Sequence, residues 1–287
     1  MTGTVVKILS FEYYVKDDIT GEAVLCRGRG RLKRDGDILV GDKVEYATGS
    51  KSASIEKVLP RRNALVRPYV ANIDSAIIVI APVPKPDYYL VDKIIVNCYK
   101  DKIEPIICVN KTDLLSEKEA EKLTNGYEDI KRLYVSAEKG IGLTELLAEM
   151  RGRLTCLAGQ SAVGKTSLLN ALTGSDKAIG ELSQRIERGK NTTRHTEIYA
   201  LDNTTMLIDT CGFSLLELDI EPQELKLYYD EFVSQNENCR YTSCVHVTEP
   251  ECAVKLAVER GEIDKARYDR YVELYNELKQ KRSKRYE

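Results

Sequence analysis

Residues 159–167 read GQSAVGKTS and lie between an apolar run, LTCLA at 154–158, and a helix-forming stretch that begins at Leu168. The pattern G-x-x-x-x-G-K-[ST] is met at every fixed position, by Gly159, Gly164, Lys165 and Thr166. A strand that turns this sharply into a helix belongs to an α/β layer. The turn aims successive backbone N–H groups and the positive helix end at one point, where a phosphate chain is stabilised. In this pattern Lys165 reaches the β and γ phosphates and the Thr166 hydroxyl binds Mg2+, while Gln160, Ser161, Ala162, Val163 and Ser167 complete the cradle.

The loop does not say which base is held, so the base has to be read elsewhere. Asn110-Lys111-Thr112-Asp113 follows an apolar run, PIICV at 105–109. A carboxylate at Asp113 accepts two hydrogen bonds from the N1–H and exocyclic amine of guanine. Adenine presents an acceptor at N1 and leaves that carboxylate unpaired, a penalty of about 1–3 kcal/mol. Asn110 is expected to brace the loop, the Lys111 stem to lie over the ring, and Ser136-Ala137 to supply a backbone N–H to guanine O6. Asp209-Thr210-Cys211-Gly212 ends a further strand, placing Asp209 near the metal through water and the Gly212 N–H near the γ-phosphate. Together these elements read as a GTP site. Their order is unusual: Asn110–Asp113 and Ser136-Ala137 precede the phosphate loop, whereas the common GTPase order starts with it. An open α/β sheet presents its ligand only with loops at strand ends, so a circular permutation leaves such a site intact.

On either side of this layer the texture differs. Up to residue 65 the chain reads as short strands at 5–9, 11–15, 23–27, 42–46 and 55–58 with turn residues between them, the pattern of a small barrel. Arg27, Arg29, Arg31 and Lys33 alternate, so an extended chain presents them on one side; this is either a solvated strand or a phosphate-contacting face. Residues 1–68 hold 13 basic and 9 acidic side chains, although the whole chain carries a formal charge of only −2. Any attraction to nucleic acid is therefore local. The stretch 59–68, LPRRNALVRP, reads as a linker. Near the other end, Cys239, Cys244, His246 and Cys252 give C-x4-C-x-H-x5-C, three thiolates and an imidazole that suit a closed, structural Zn2+ shell. Helices are expected at 222–235, 253–259 and 265–281, followed by a basic tail. The other cysteines are scattered, and no apolar run approaches the roughly 20 residues of a membrane helix. No signal peptide is expected, and a reduced, cytoplasmic setting and no membrane partner are.

Circular permutation, an N-terminal barrel, GQSAVGKTS and the Cys/His cluster together resemble the small ribosomal subunit biogenesis GTPases, the RsgA (YjeQ) family, over essentially the full length. The resemblance implies a multidomain chain: an OB-fold barrel at 1–65, a permuted P-loop GTPase domain at 66–220 and a helical zinc-binding domain at 221–287. It also implies GTP/GDP, Mg2+ and one zinc as cofactors, a monomer, and engagement of the 30S subunit and its 16S rRNA, with hydrolysis stimulated by that subunit. Two departures matter. Phe213 follows DxxG where many GTPases carry the glutamine that orients water, and intrinsic hydrolysis should be slow. In 189–195, GKNTTRH, Asn191 stands where the family often has histidine; Asn191 or His195 is the candidate hydrolytic group, and Thr192 or Thr193 the switch threonine. Rival readings are a permuted GTPase with another RNA target, a P-loop kinase, and a zinc-stabilised RNA-binding scaffold.

Overall fold

The computed structural model describes residues 1–9, 12–28, 37–49, 53–66, 69–174, 198–209 and 218–285. In its first strands, β1 (Thr2–Leu9), β2 (Glu12–Asp17), β3 (Ala23–Gly28), β4 (Lys43–Thr48) and β5 (Ala53–Val58), Val5, Val15, Cys26, Val44 and Ile55 share one buried interior. Alternation with period two makes this possible. The strands close as a barrel in the order β1-β2-β3-β5-β4, as the turn-punctuated sequence leads one to expect. Within it the Tyr46 hydroxyl donates to the Asp17 carboxylate at 2.6 Å. That bond, with the backbone N–H groups of Thr20 and Ile19, holds Asp17 down at about 2.

The expected linker is structured. Residues of 59–68 contribute β6 (Ala64–Val66), which pairs antiparallel with β7 (Tyr69–Ala71). The cause is the arginines: Arg61 donates to both oxygens of the fully buried Asp42 carboxylate at 2.7 and 2.8 Å, and Arg62 pairs with Asp74 at 2.5 Å. The hairpin is also stitched to the barrel, with the Ala71 N–H on the Val40 carbonyl at 2.9 Å and the Asn72 amide on the Gly41 carbonyl at 3.0 Å.

From there the chain alternates: β8 (Ser75–Ile80), α1 (Tyr88–Lys100), β9 (Glu104–Val109), α2 (Glu117–Lys122), β10 (Lys131–Tyr134), α3 (Leu143–Met150), β11 (Leu154–Ala158), α4 (Lys165–Thr173), β12 (Ile198–Ala200) and β13 (Met206–Asp209). The six strands form one sheet in the order β10-β9-β8-β11-β13-β12, parallel except for β12. Continuous apolar runs serve here because both faces are covered. Ile78, Ile80, Cys156 and Ile208 pack on one face with Ile94 and Ile95 of α1. Ile77, Val79, Leu157 and Leu207 pack on the other with Leu146 of α3 and Leu168 and Leu172 of α4. Val6 and Val40 of the barrel join the α1-side cluster, so barrel and sheet share a core. The chain lays down β8, β9 and β10 outward, then returns to place β11 beside β8 and builds the other way. That reversal is where an open α/β sheet leaves a crevice at its strand ends.

The expected helix at 222–235 is instead a 3-10 segment, Pro222–Tyr228, followed by α5 (Asp230–Asn236). Tyr229 breaks it with an extended backbone, φ −121° and ψ 99°. This lets its ring bury against Phe232 at 5.0 Å and Tyr271 at 5.1 Å. α6 (Ala253–Glu259) and α7 (Lys265–Arg285) complete the C-terminal part. It is locked to α1 by a buried ionic cluster: Asp92, fully buried, accepts from Arg267 at 2.8 Å, Arg270 at 2.5 Å and the Tyr127 hydroxyl at 2.8 Å. Among the described residues no helix is long and apolar enough to cross a membrane.

Candidate nucleotide site and cysteine cluster

The loops that leave the carboxyl ends of β8, β9, β10 and β11 converge at the reversal point. Gly159 opens the loop after β11 with φ 125°, and a Cβ there would lie 2.3 Å from the Val79 carbonyl oxygen of the neighbouring strand. Gly164 closes it with φ 96°, and a Cβ there would meet the Asn110 amide nitrogen at 2.3 Å. Both glycines are therefore required twice over, by backbone angle and by contact. Between them Ala162 takes the left-handed φ of 64° that suits glycine better. Lys165, at the start of α4, donates to the carbonyls of Gly159 at 2.8 Å and Gln160 at 2.7 Å. Thr166 and Ser167 are exposed in the first turn of α4, and Val163 is buried.

The residues after β9 brace this loop. The Asn110 side chain donates to the Val163 carbonyl at 3.0 Å and accepts the Ala137 N–H at 3.1 Å. One amide thus ties three strand ends together, and of the two backbone donors that Ser136-Ala137 offers toward guanine O6 it engages the Ala137 N–H, while the Ser136 N–H donates to the Ile141 carbonyl at 3.0 Å. Lys111, itself left-handed at φ 63°, extends its ammonium to the carbonyls of Ala162 at 2.9 Å and Val83 at 2.8 Å. Thr112 donates its N–H to the Val135 carbonyl at 3.1 Å. Asp113 receives the Ser136 hydroxyl on Oδ1 at 2.5 Å. Its Oδ2 has no such partner among the described residues. The strand expected at 133–136 ends at Tyr134, because Ser136 leaves the ladder to bridge Ile141.

Several expected residues lie outside the described ones: Asn191, Thr192, Thr193 and His195, Thr210 through Phe213 including Gly212, and Arg29, Arg31 and Lys33 of the basic ribbon. The backbone of Asp209 ends β13, while its side chain also lies outside the description. Sequence reasoning missed the β8–α1 loop, where Val83, Lys85 and Asp87 offer backbone atoms to Lys111 and Gln160. Its only signal was the proline-dense string APVPKPD between a strand and a helix.

In the C-terminal part Cys239, Cys244, His246 and Cys252 bring their ligand atoms within 4.8 Å of one another. His246 Nδ1 lies 3.6, 3.4 and 3.3 Å from the sulfurs of Cys239, Cys244 and Cys252, and the sulfurs of Cys239 and Cys252 are 4.0 Å apart. A tetrahedral shell with Zn–S of about 2.3 Å and Zn–N of about 2.0 Å puts sulfurs roughly 3.8 Å apart and nitrogen roughly 3.5 Å from sulfur. The donor set therefore fits zinc. Burial, with Lys226 adding to it, pushes His246 down to about 4, so the imidazole is neutral and offers a lone pair. Its backbone is left-handed at φ 62°, and the Tyr268 hydroxyl secures its carbonyl at 2.8 Å.

Comparison with known proteins agrees with this architecture. Residues 58–219 match the family model described as RsgA GTPase, and residues 2–55 that of the RsgA N-terminal domain. The small ribosomal subunit biogenesis GTPase RsgA of Caldanaerobacter subterraneus subsp. tengcongensis is 43% identical over 99% of this chain and 98% of its own length. The protein of the same name from Thermotoga neapolitana is 41% identical over 96% of each. Among solved structures, YjeQ from Thermotoga maritima superposes with a TM-score of 0.85 at 38% identity, covering 96% of this chain and 98% of that one. YloQ, a circularly permuted GTPase, gives 0.81 at 33% identity, over 98% and 95%. The chain belongs to the RsgA family of circularly permuted GTPases and is a GTP-hydrolysing enzyme.

Proposed function

We propose that this enzyme is a GTP-gated factor in late assembly of the 30S ribosomal subunit, working in the cytoplasm as a monomer. The observation that carries the nucleotide reading is Asp113, a carboxylate fixed by Ser136 on the loop beside the phosphate loop. In this reading Asp113 pairs with the guanine edge, Asn110 and Lys111 hold the base loop to the phosphate loop, and Lys165 turns from its two carbonyls to the β and γ phosphates. Thr166 and Asp209 hold Mg2+, which offsets phosphate charge when bound. Gly212 and one of Thr192 and Thr193 respond to the γ-phosphate. Asn191 or His195 serves hydrolysis, with Phe213 unable to orient water. The full names of the relatives, small ribosomal subunit biogenesis GTPases, support the ribosomal target.

The domains divide the work. A zinc ion held by Cys239, Cys244, His246 and Cys252 is structural, since four protein donors leave no open position. The barrel at 1–65 and the basic C-terminal tail contact 16S rRNA, while 66–220 carries the nucleotide. Turnover of GTP, followed as phosphate release, is expected to be slow for the purified chain and to rise at least about tenfold with saturating 30S, a barrier change of about 1.4 kcal/mol. Turnover indifferent to the subunit would remove it as the activator.

A further inference from the structure

Two side chains of the nucleotide-site motifs reach across the reversal point to the loop after β8. Gln160 uses both ends of its amide: Oε1 accepts the Asp87 N–H at 2.6 Å, and Nε2 donates to the Lys85 carbonyl at 2.9 Å. Lys111 holds the same loop at the Val83 carbonyl and the phosphate loop at the Ala162 carbonyl. Asp87 in turn caps α1, its carboxylate accepting the Leu90 N–H at 3.0 Å. The phosphate loop is thus held from both flanks, at Gln160 and at Ala162, the residue whose left-handed backbone is least comfortable.

A glutamine amide in a phosphate loop has donors to offer an anion, yet here one of its two N–H donors and its oxygen are engaged by neighbouring backbone. We infer that Gln160 is a positioning residue: it clamps the phosphate loop to the β8–α1 loop and keeps the loop N–H groups converged before nucleotide arrives. This rests on the phosphate loop being the nucleotide site. The consequence is one of preorganisation, in which ordering that the nucleotide would otherwise have to impose is already complete. Such a clamp acts equally on GDP and GTP binding and leaves the chemical step alone.

The test compares wild type with Gln160→Ala, a half-exposed position where truncation leaves no cavity, by fluorescent GDP and GTP titration and by GTP turnover. The clamp predicts that both nucleotides bind about five- to tenfold more weakly. KM should rise in proportion, with kcat changed less than about twofold and the melting temperature held. A cycle identifies the partner. Asp87→Pro deletes the N–H at a φ of −85°, near proline's range, and Asp87→Ala measures loss of the cap alone. With Gln160 present the proline variant should be the weaker binder of the two; with Gln160→Ala the two should be equal. Unchanged affinity in Gln160→Ala overturns the clamp, as does a fall in kcat at constant KM, which would place Gln160 on the reacting atoms. Failure of the wild type to bind either guanine nucleotide would overturn the nucleotide site itself, and the clamp with it.

Discussion

Asp113, the residue proposed to read the guanine edge, retains little freedom. Ser136 fixes one of its oxygens at 2.5 Å and leaves the other as the acceptor that the proposed guanine contact would use. Asp113→Asn keeps that hydrogen bond through the amide oxygen but turns an acceptor into a donor. Guanine nucleotides should then bind about 10- to 100-fold more weakly, and xanthosine nucleotides, whose C2 carbonyl accepts from the amide, should bind better than to wild type. Competition titration with GDP, XDP and ADP checks this; equal GDP and ADP affinity in the wild type would refute the guanine assignment. Cys244 makes the same point for the proposed zinc site. Cys244→Ser should lose zinc by metal analysis and unfold the surrounding core, because Phe232 packs on His246 at 5.8 Å and Lys226 secures the Cys244 carbonyl at 2.8 Å. Such residues were legible in the sequence because the chemistry dictates their types and spacing. The partners of Gln160 were not, since they are backbone atoms of Lys85 and Asp87, and a backbone atom leaves no signature in a sequence.

Helix α1 connects the candidate nucleotide site, the sheet and the C-terminal part. Its N-terminus is capped by Asp87 beside the phosphate loop, one face covers the sheet through Ile94 and Ile95, and Asp92 meets the C-terminal arginines. Helical spacing at Leu90, Ile94, Ile95 and Cys98 announced the helix and its apolar face. The role of Asp92 was invisible, because an isolated acidic residue on a helix reads as solvated until Arg267 and Arg270, far along the chain, are brought to it. Asp92→Ala would leave the buried Arg267 with Glu231 alone and the partly buried Arg270 without its carboxylate, and removal of one partner from such a cluster costs about 3–5 kcal/mol. Chemical denaturation should register that loss, with the C-terminal part detaching first; a loss under about 1 kcal/mol would show that the arginines find other partners. The 3-10 break at Tyr229 was unreadable for a similar reason: Leu225, Tyr229 and Phe232 keep helical spacing, and only the demand to bury Tyr229 against Tyr271 stops the helix.

For the whole molecule the permutation matters most. Three parts follow in chain order, and the two outer ones are both fastened to the α/β layer between them. The barrel is held by the β6–β7 hairpin and by Lys16, whose ammonium donates to the carbonyls of Asp202 and Asn203 at 2.8 and 3.1 Å. Those carbonyls form the turn between β12 and β13, the hairpin that ends at Asp209. The C-terminal part is held by α1, and Leu218, at its near end, packs in the same core as Val96 of α1. Barrel and C-terminal part are thus both fastened to the sheet that carries the candidate nucleotide loops, and in the proposed mechanism a target that grips both would sense the nucleotide state. Coupling of this kind is reciprocal in binding free energy. The central claim is tested most directly by the affinity of the purified chain for 30S subunits, measured by sedimentation with a non-hydrolysable GTP analogue and with GDP. Tighter binding in the GTP-analogue state, by about tenfold or more, is the predicted result; identical affinity in the two states would contradict it.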